Sequence, residues 1–143
     1  MGVAMSADGE LAVSASTNTI RVWHLASGRE LHTLFVHTNR IRGVTMSPDG
    51  KVAISTSDDK TLKVWDVASG RELRTLKAHS DAVWGVAMSA DAKVAASSCF
   101  DGTLIVWDVT SGRELGTVLL GNSIYERLAT APHGFPIQHT QLA

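Results

Sequence analysis

The sequence has one cysteine, Cys99, so it can form neither an internal disulfide framework nor a zinc site made of several cysteines. It has no excess of positive charge, because 13 Lys and Arg residues face 14 Asp and Glu residues for a net charge of −1. This balance argues against binding to nucleic acid or anionic membranes through bulk electrostatics. No hydrophobic run approaches bilayer length, and no glycine-rich phosphate motif is present. We therefore expect a cytoplasmic globular protein with no cofactor and no bound metal.

The chain instead contains a regular internal repeat. Tryptophans stand at positions 23, 65 and 107, a spacing of 42 residues each time. The string Ser-Gly-Arg-Glu-Leu recurs at 27–31, 69–73 and 111–115. A fixed period of ~40–45 residues is typical of propellers and solenoids. Residues 1–119 are therefore predicted to hold three units, at about 2–35, 36–77 and 78–119, and residues 120–143 form a tail that matches none of them.

Each copy has the pattern of short strands. Segments rich in valine, isoleucine and threonine alternate with turn residues, which places strands of the second copy near 41–47, 51–57, 61–66 and 71–77. The third copy follows at +42, and none of these segments has the length or period of a helix. Four short strands per unit fit a propeller blade, so the prediction is an all-β chain.

Two tetrapeptides give the family resemblance. Lys63-Val64-Trp65-Asp66 and Ile105-Val106-Trp107-Asp108, each preceded by a loop histidine, resemble WD40 repeats. The family's Gly-His pair reads Val36-His37 and Ala78-His79 here, and the first copy ends Val22-Trp23-His24. The resemblance implies three four-stranded antiparallel blades that form part of a β-propeller.

Serine, histidine and aspartate recur with a tryptophan at the same gaps of 18, 4 and 6 residues in two copies. These residue types can build a hydrolase triad, but they occur once per repeat and lack a nucleophile elbow. The resemblance implies a structural hydrogen-bond chain inside each blade, from the indole through serine and histidine to aspartate. Its members are His37, Ser55, Asp59 and Trp65 in the second blade, His79, Ser97, Asp101 and Trp107 in the third, and only Ser14 and Trp23 in the first, which we expect to be the loosest.

The predicted function is a non-catalytic scaffold that binds another protein. Positions where otherwise similar repeats differ are the candidates for the partner-binding rim, because loops carry recognition on a rigid frame. They are Arg40, Arg42, Asp58, Trp84 and Phe100. For Trp84 and Phe100, packing between blades is the alternative. The alternative function is a regulatory or sensing segment of a larger signalling protein linked to a kinase or NTPase.

The tail and the number of blades complete the expectations. Pro132, Gly134 and Pro136 break regular structure, so the tail is predicted to be irregular. Propellers close with ~4–8 blades, and three are counted here. We expect either that two copies of the chain complete a ring or that further blades lie upstream. Both alternatives remain open at this point.

Overall fold

The computed structural model describes residues 2–77, 79–119 and 140–141, and twelve of its strands form three four-stranded antiparallel sheets. The first blade contains β1 (Gly2–Met5), β2 (Leu11–Ala15), β3 (Ile20–His24) and β4 (Arg29–Leu34). The second contains β5 (Ile41–Met46), β6 (Val52–Ser57), β7 (Leu62–Asp66) and β8 (Glu72–Leu76). The third contains β9 (Val83–Met88), β10 (Val94–Cys99), β11 (Thr103–Asp108) and β12 (Glu114–Leu119). The prediction of an all-β chain with three four-stranded antiparallel blades is confirmed.

Each sheet is a simple meander in which every strand pairs with the next one along the chain. The third and fourth strands slip register at the same place in all three blades, immediately before the repeated tryptophan: Val22/Trp23, Val64/Trp65 and Val106/Trp107. An extra residue in one strand increases the local twist. No helix long and apolar enough to cross a membrane occurs among the residues that the structure describes.

The turn between the first and second strands is also built alike in the three blades. A serine hydroxyl donates to the carboxylate two residues later, in Ser6–Asp8 at 2.7 Å, Ser47–Asp49 at 2.7 Å and Ser89–Asp91 at 2.6 Å. The residue after the carboxylate has a left-handed backbone, with φ of 74° at Gly9, 75° at Gly50 and 61° at Ala92. Only the third blade places a side chain there.

The blades stack face to face and share two apolar cores. The first core lies between the first and second blades and includes Val13, Ile20, Val22, Ile41, Met46, Trp65 and Val67. The second lies between the second and third blades and includes Ile54, Leu62, Val64, Val83, Ile105 and Trp107. Burial of these aliphatic and aromatic side chains holds adjacent blades together. One blade alone would leave half of such a core in water.

The outer face of the first blade is open within the described part of the chain. Met5 is 58% exposed, whereas Met46, its counterpart in the second blade, is 7% exposed. Leu25 is 42% exposed, whereas its counterpart Val67 is 1% exposed. The residues that face a neighbouring blade elsewhere in the array therefore face solvent here.

One further strand, β13 (Thr140–Gln141), pairs in parallel with β12 at Val118 and Leu119. The prediction of an irregular tail concerns residues 120–143, and apart from 140–141 it lies outside the described residues.

Candidate functional site

The second blade holds a buried polar group that ties two connections and a strand together. His37 Nδ1 lies 2.8 Å from Asp59 Oδ2, and His37 Nε2 lies 2.8 Å from Ser55 Oγ. Because an ionised carboxylate only accepts, Nδ1 carries the proton and Nε2 accepts from the serine. Thr61 Oγ1 also donates to Asp59, at 2.5 Å. Among the described residues, the buried Trp65 Nε1 has no hydrogen-bond partner.

The third blade makes a longer relay from related residues. Trp107 Nε1 donates to Ser97 Oγ at 2.9 Å, and Ser97 lies 2.8 Å from His79 Nε2. His79 Nδ1 lies 3.2 Å from Thr103 Oγ1, which in turn donates to Asp101 Oδ1 at 2.5 Å. The indole is therefore connected to the carboxylate through three intervening side chains.

The structure thus departs from the expected chain by one link in each of these blades. In the second blade Trp65 does not donate to Ser55. In the third blade His79 does not hydrogen-bond Asp101 directly, and the hydroxyl of Ser80 donates to Asp101 Oδ2 at 2.7 Å. That oxygen is the counterpart of the one that receives His37 in the second blade.

The polar network of the first blade consists of a single hydrogen bond. Trp23 Nε1 donates to Ser14 Oγ at 3.0 Å, and both residues are partly exposed. A hollow of about 580 Å³ opens beside them and is lined by Val3, Ser14 and Trp23 among others. The equivalent serines of the other two blades bind a histidine at this position.

Burial controls the protonation of these groups. Desolvation lowers the pKa of His37, against the attraction of Asp59, and desolvation also lowers the pKa of His79. Burial opposes ionisation of Asp59, but hydrogen bonds from Thr61 and His37 outweigh it and lower the pKa of that carboxyl. The histidines are therefore neutral and the aspartates ionised at neutral pH.

Serine, histidine and aspartate in the second blade have the connectivity of a hydrolase triad. However, Ser55 is 0% exposed and Ser97 of the third blade is 1% exposed. A substrate carbonyl has to reach the serine oxygen for nucleophilic attack. The burial of both hydroxyls supports the structural role.

Three side chains of types that bind metal ions lie close together in the third blade. The potential ligand atoms of His79, Cys99 and Asp101 are within 4.8 Å of one another. Burial raises the pKa of the Cys99 thiol, so the sulfur remains protonated and donates to Asp81 O at 3.3 Å. The histidine and the carboxylate are engaged in the relay described above. Protein groups therefore already satisfy this cluster.

A second group of side chains lies on the surface where the second and third blades meet. Arg42 forms a two-point ion pair with Asp58, with Nε–Oδ1 at 2.7 Å and Nη2–Oδ2 at 2.9 Å. Its guanidinium carbon lies 4.9 Å from the centre of the Trp84 ring. Trp84 contacts Phe100 edge to face, with centroids 4.3 Å apart and planes at 67°. We call Arg42, Asp58, Trp84 and Phe100 the rim cluster.

The rim cluster brings together four of the five sequence-predicted rim residues. Trp84 is 45% exposed and Phe100 is 59% exposed, so their rings lie at the surface and outside the core between the blades. The fifth residue, Arg40, is exposed, and its carbonyl accepts from the Asp58 backbone N–H at 2.9 Å. It therefore supports the loop that carries Asp58.

Sequence reasoning missed two members of the buried networks, Thr61 and Thr103. Each follows the network aspartate by two residues, in Asp59-Lys60-Thr61 and Asp101-Gly102-Thr103. The recurrence of an Asp-x-Thr pattern at +42 was the available signal. The pattern shows a contact only once the turn is known, because the turn directs each threonine hydroxyl onto the carboxylate of the aspartate two residues before it.

Comparison with known families gives the identification. The family described as WD domain, G-beta repeat matches residues 1–24, 28–66 and 70–108, more than half of the chain. The chain belongs to the WD40 repeat family. Each complete match begins near the outer strand of one blade and ends in the third strand of the next, so one WD40 sequence unit links two blades. Repeats of this family generally mediate protein interactions and are generally not catalytic.

Individual WD40 relatives match parts of the chain. The WD repeat-containing protein sll1491 of Synechocystis is 38% identical over 55 residues, which is 38% of this chain and 16% of that protein. The nuclear distribution protein nudF of Aspergillus terreus is 42% identical over 59 residues, 41% of this chain and 13% of that protein. The Lissencephaly-1 homolog of Dictyostelium discoideum is 42% identical over 50 residues, 35% and 12% respectively. The chain thus spans only a small part of the length of these relatives.

Proposed function

We propose that this WD40 array is a non-catalytic platform that docks another protein through the rim cluster. The observation that carries the proposal is an exposed pair of aromatic rings at a blade junction, held against an arginine that is itself fixed by a carboxylate. Tryptophan and arginine are enriched among the residues that dominate binding energy at protein interfaces.

The geometry of the cluster favours binding because its side chains are ordered in advance. The two-point contact with Asp58 fixes the plane of the Arg42 guanidinium, and that plane supports the Trp84 ring. A partner that covers these rings orders few additional side chains, which lowers the entropic cost of association. The cluster joins two blades, so its shape also depends on their stacking.

The buried serine, histidine and aspartate residues have a different role in this proposal. They connect the loops to the strands of each blade and keep the rim residues in place, because a satisfied buried polar network rigidifies its surroundings. The same arrangement suits a regulatory part of a longer signalling protein.

We also propose that a further WD40 blade covers the open outer face of the first blade. The exposure of Met5 and Leu25, against the burial of Met46 and Val67, supports this occupant, because a blade is what buries these positions elsewhere. The hollow beside Ser14 and Trp23 supports it too, since a loop histidine occupies this position next to Ser55 and Ser97.

The experiment for docking is quantitative affinity capture with matched variants. The Trp84→Ala/Phe100→Ala variant should capture at least tenfold less of a partner protein that the unchanged chain retains. The control is Phe35→Ala, which removes a 74% exposed ring from the connection between the first and second blades. Equal retention by the unchanged chain and the Trp84/Phe100 variant would contradict the proposal.

A further inference from the structure

A pocket of about 440 Å³ opens in the second blade, close to the third. It lies at the same end of the sheets as the rim cluster, since the β6–β7 turn and the β8–β9 connection both contribute to it. The residues that line it all carry polar or charged groups: Thr38, Asp59, Lys60, Thr61, Lys63, Thr75, Lys77 and His79. The volume is in the range of small-ligand sites.

Positive charge is concentrated in this pocket. Three of the five lysines of the chain line it, although the chain as a whole has a net charge of −1. Lys63 forms an ion pair with Glu72 at 2.7 Å and a contact with Thr75 at 3.2 Å. Lys60 and Lys77 have no carboxylate within 4.0 Å among the described residues. Two ammonium groups are therefore available to a ligand.

The pocket's own carboxylate is already engaged. Asp59 accepts from His37, from Thr61 and from the backbone N–H of Thr38. These donors hold its charge inside the blade network. The pocket therefore offers two lysines without an ion-pair partner in the described part of the chain and the Thr38 hydroxyl, beside one ionised carboxylate that already accepts hydrogen bonds from the fold.

Lys60 and Lys77 are particular to the second blade, because the first blade has Asn18 and Phe35 at these positions. Lys63 has a counterpart in Arg21 of the first blade, which pairs with Glu30 at 3.4 Å as Lys63 pairs with Glu72. At +42 the third blade has Gly102, Ile105 and Leu119 in place of Lys60, Lys63 and Lys77. Blade stacking and the polar network form in the third blade without these charges. The fold of a blade therefore does not require Lys60 or Lys77.

We propose that this pocket binds a phosphate monoester, presented as a phosphorylated serine or threonine of the protein that docks on the rim cluster. A phosphoryl group carries about −1.5 to −2 charges at pH 7 and three strong acceptor oxygens. Two unpaired ammonium groups match that charge, whereas a single carboxylate would leave one of them unmatched. Lysine acts on phosphate as a flexible point charge and needs no planar partner.

The inference rests on the proposed function only for the source of the phosphoryl group. Recognition of the group itself depends on the pocket, which contains no residue of the rim cluster. The two proposals can therefore fail separately.

The test titrates the intact chain with N-acetyl-phosphoserine amide, followed by NMR or calorimetry. The same titration with inorganic phosphate and with N-acetyl-aspartate amide separates the possible chemistries. The variant is Lys60→Gly/Lys77→Leu, which installs the residues of the third blade. Glycine is suited to position 60 because Lys60 has a φ of 74°. The control, Lys51→Ala/Lys93→Ala, removes the same charge at the opposite end of the sheets.

The expected result is binding of the phosphoserine probe that weakens at least tenfold in Lys60→Gly/Lys77→Leu and less than twofold in the control and in Trp84→Ala/Phe100→Ala. A circular dichroism melt confirms that each variant is folded. An equal loss of affinity in the lysine variant and in the charge control would show that only the net charge of the chain matters. That result would overturn the proposal. Equal affinity for the aspartate probe would overturn its choice of phosphate, and preference for free phosphate would overturn its assignment to a protein side chain.

Discussion

Trp107 Nε1 donates to the hydroxyl of Ser97 at 2.9 Å, whereas the equivalent nitrogen of Trp65 donates to no described residue. Both indoles are buried, at 3% and 0% exposure. The two tryptophans occupy the same position in consecutive repeats, so the difference lies in local geometry and not in sequence. The second blade retains its histidine–aspartate contact, and the third retains its indole–serine contact.

This difference predicts unequal costs for the same substitution. Trp107→Phe removes a made hydrogen bond and should lower the free energy of unfolding by about 1–2 kcal/mol beyond its packing loss. Trp65→Phe removes a buried N–H without a partner and should cost less, since no hydrogen bond is lost. Urea denaturation of the two variants measures the difference. A larger loss for Trp65→Phe would contradict the assignment.

The left-handed backbone at Ala92 predicts a stabilising substitution. Ala92→Gly should raise the free energy of unfolding by about 0.5–1 kcal/mol, because a Cβ is disfavoured at a φ of 61°. Gly9→Ala is the converse control: its φ is 74°, and a Cβ there would meet nothing within 4 Å. It should therefore lose stability through backbone strain alone. Thermal melts that shift both variants in the same direction would contradict this explanation.

The buried histidines predict lower stability in mild acid. Burial lowers the pKa of His37 and His79 in the folded state, so the unfolded chain binds more protons once the pH falls below about 6.5. The depressed pKa of Asp59 affects stability only below about pH 4. The urea midpoint should therefore fall between pH 7.5 and pH 5.5 through the histidines.

The matched variants for this pH dependence are His37→Gln/His79→Gln and His24→Gln. The first should flatten the dependence. The second should preserve it, because His24 belongs to neither buried network and its ring hydrogen-bonds Ser27 at 2.8 Å. The slope of the midpoint against pH separates this effect from any general loss of stability. An unchanged slope in the double variant would assign the pH dependence to other groups.

The open outer face predicts how the isolated chain behaves in solution. A face that exposes Met5 and Leu25 should cause non-specific association, which Met5→Ser/Leu25→Ser should reduce. Multi-angle light scattering measures the mass. A discrete species of twice the monomer mass would instead assign the face to a second copy, and a stable monomer at high concentration would remove the argument for a covering blade.

The repeat made most of the fold predictable. Its period set the number of blades, and the alternation of short apolar segments with turns placed all four strands of the second blade to within a residue or two at each end. The buried contacts were harder to foresee. His37 contacts Asp59 directly, whereas His79 contacts Thr103, although the histidine, aspartate and threonine recur at the same spacing in both repeats.

The rim cluster was predictable in membership but not in geometry. Differences between aligned repeats selected Arg42 with Trp84 and Asp58 with Phe100. The cross-blade stacking of Arg42 on Trp84 depends on how two blades pack, which is a property of the assembled array. The lysine pocket was not foreseen, because its lining comes from several connections and strands that only the fold brings together.

Trp-selective oxidative labelling of the chain, alone and bound to a captured partner, tests the docking proposal most directly. Trp84 is 45% exposed and should react in the free chain and become protected in the complex. Trp23, partly exposed on the first blade, is the internal reference and should react equally in both. Protection of Trp84 alone is the predicted result. An unchanged rate at Trp84 in a complex that forms would contradict docking through the rim cluster.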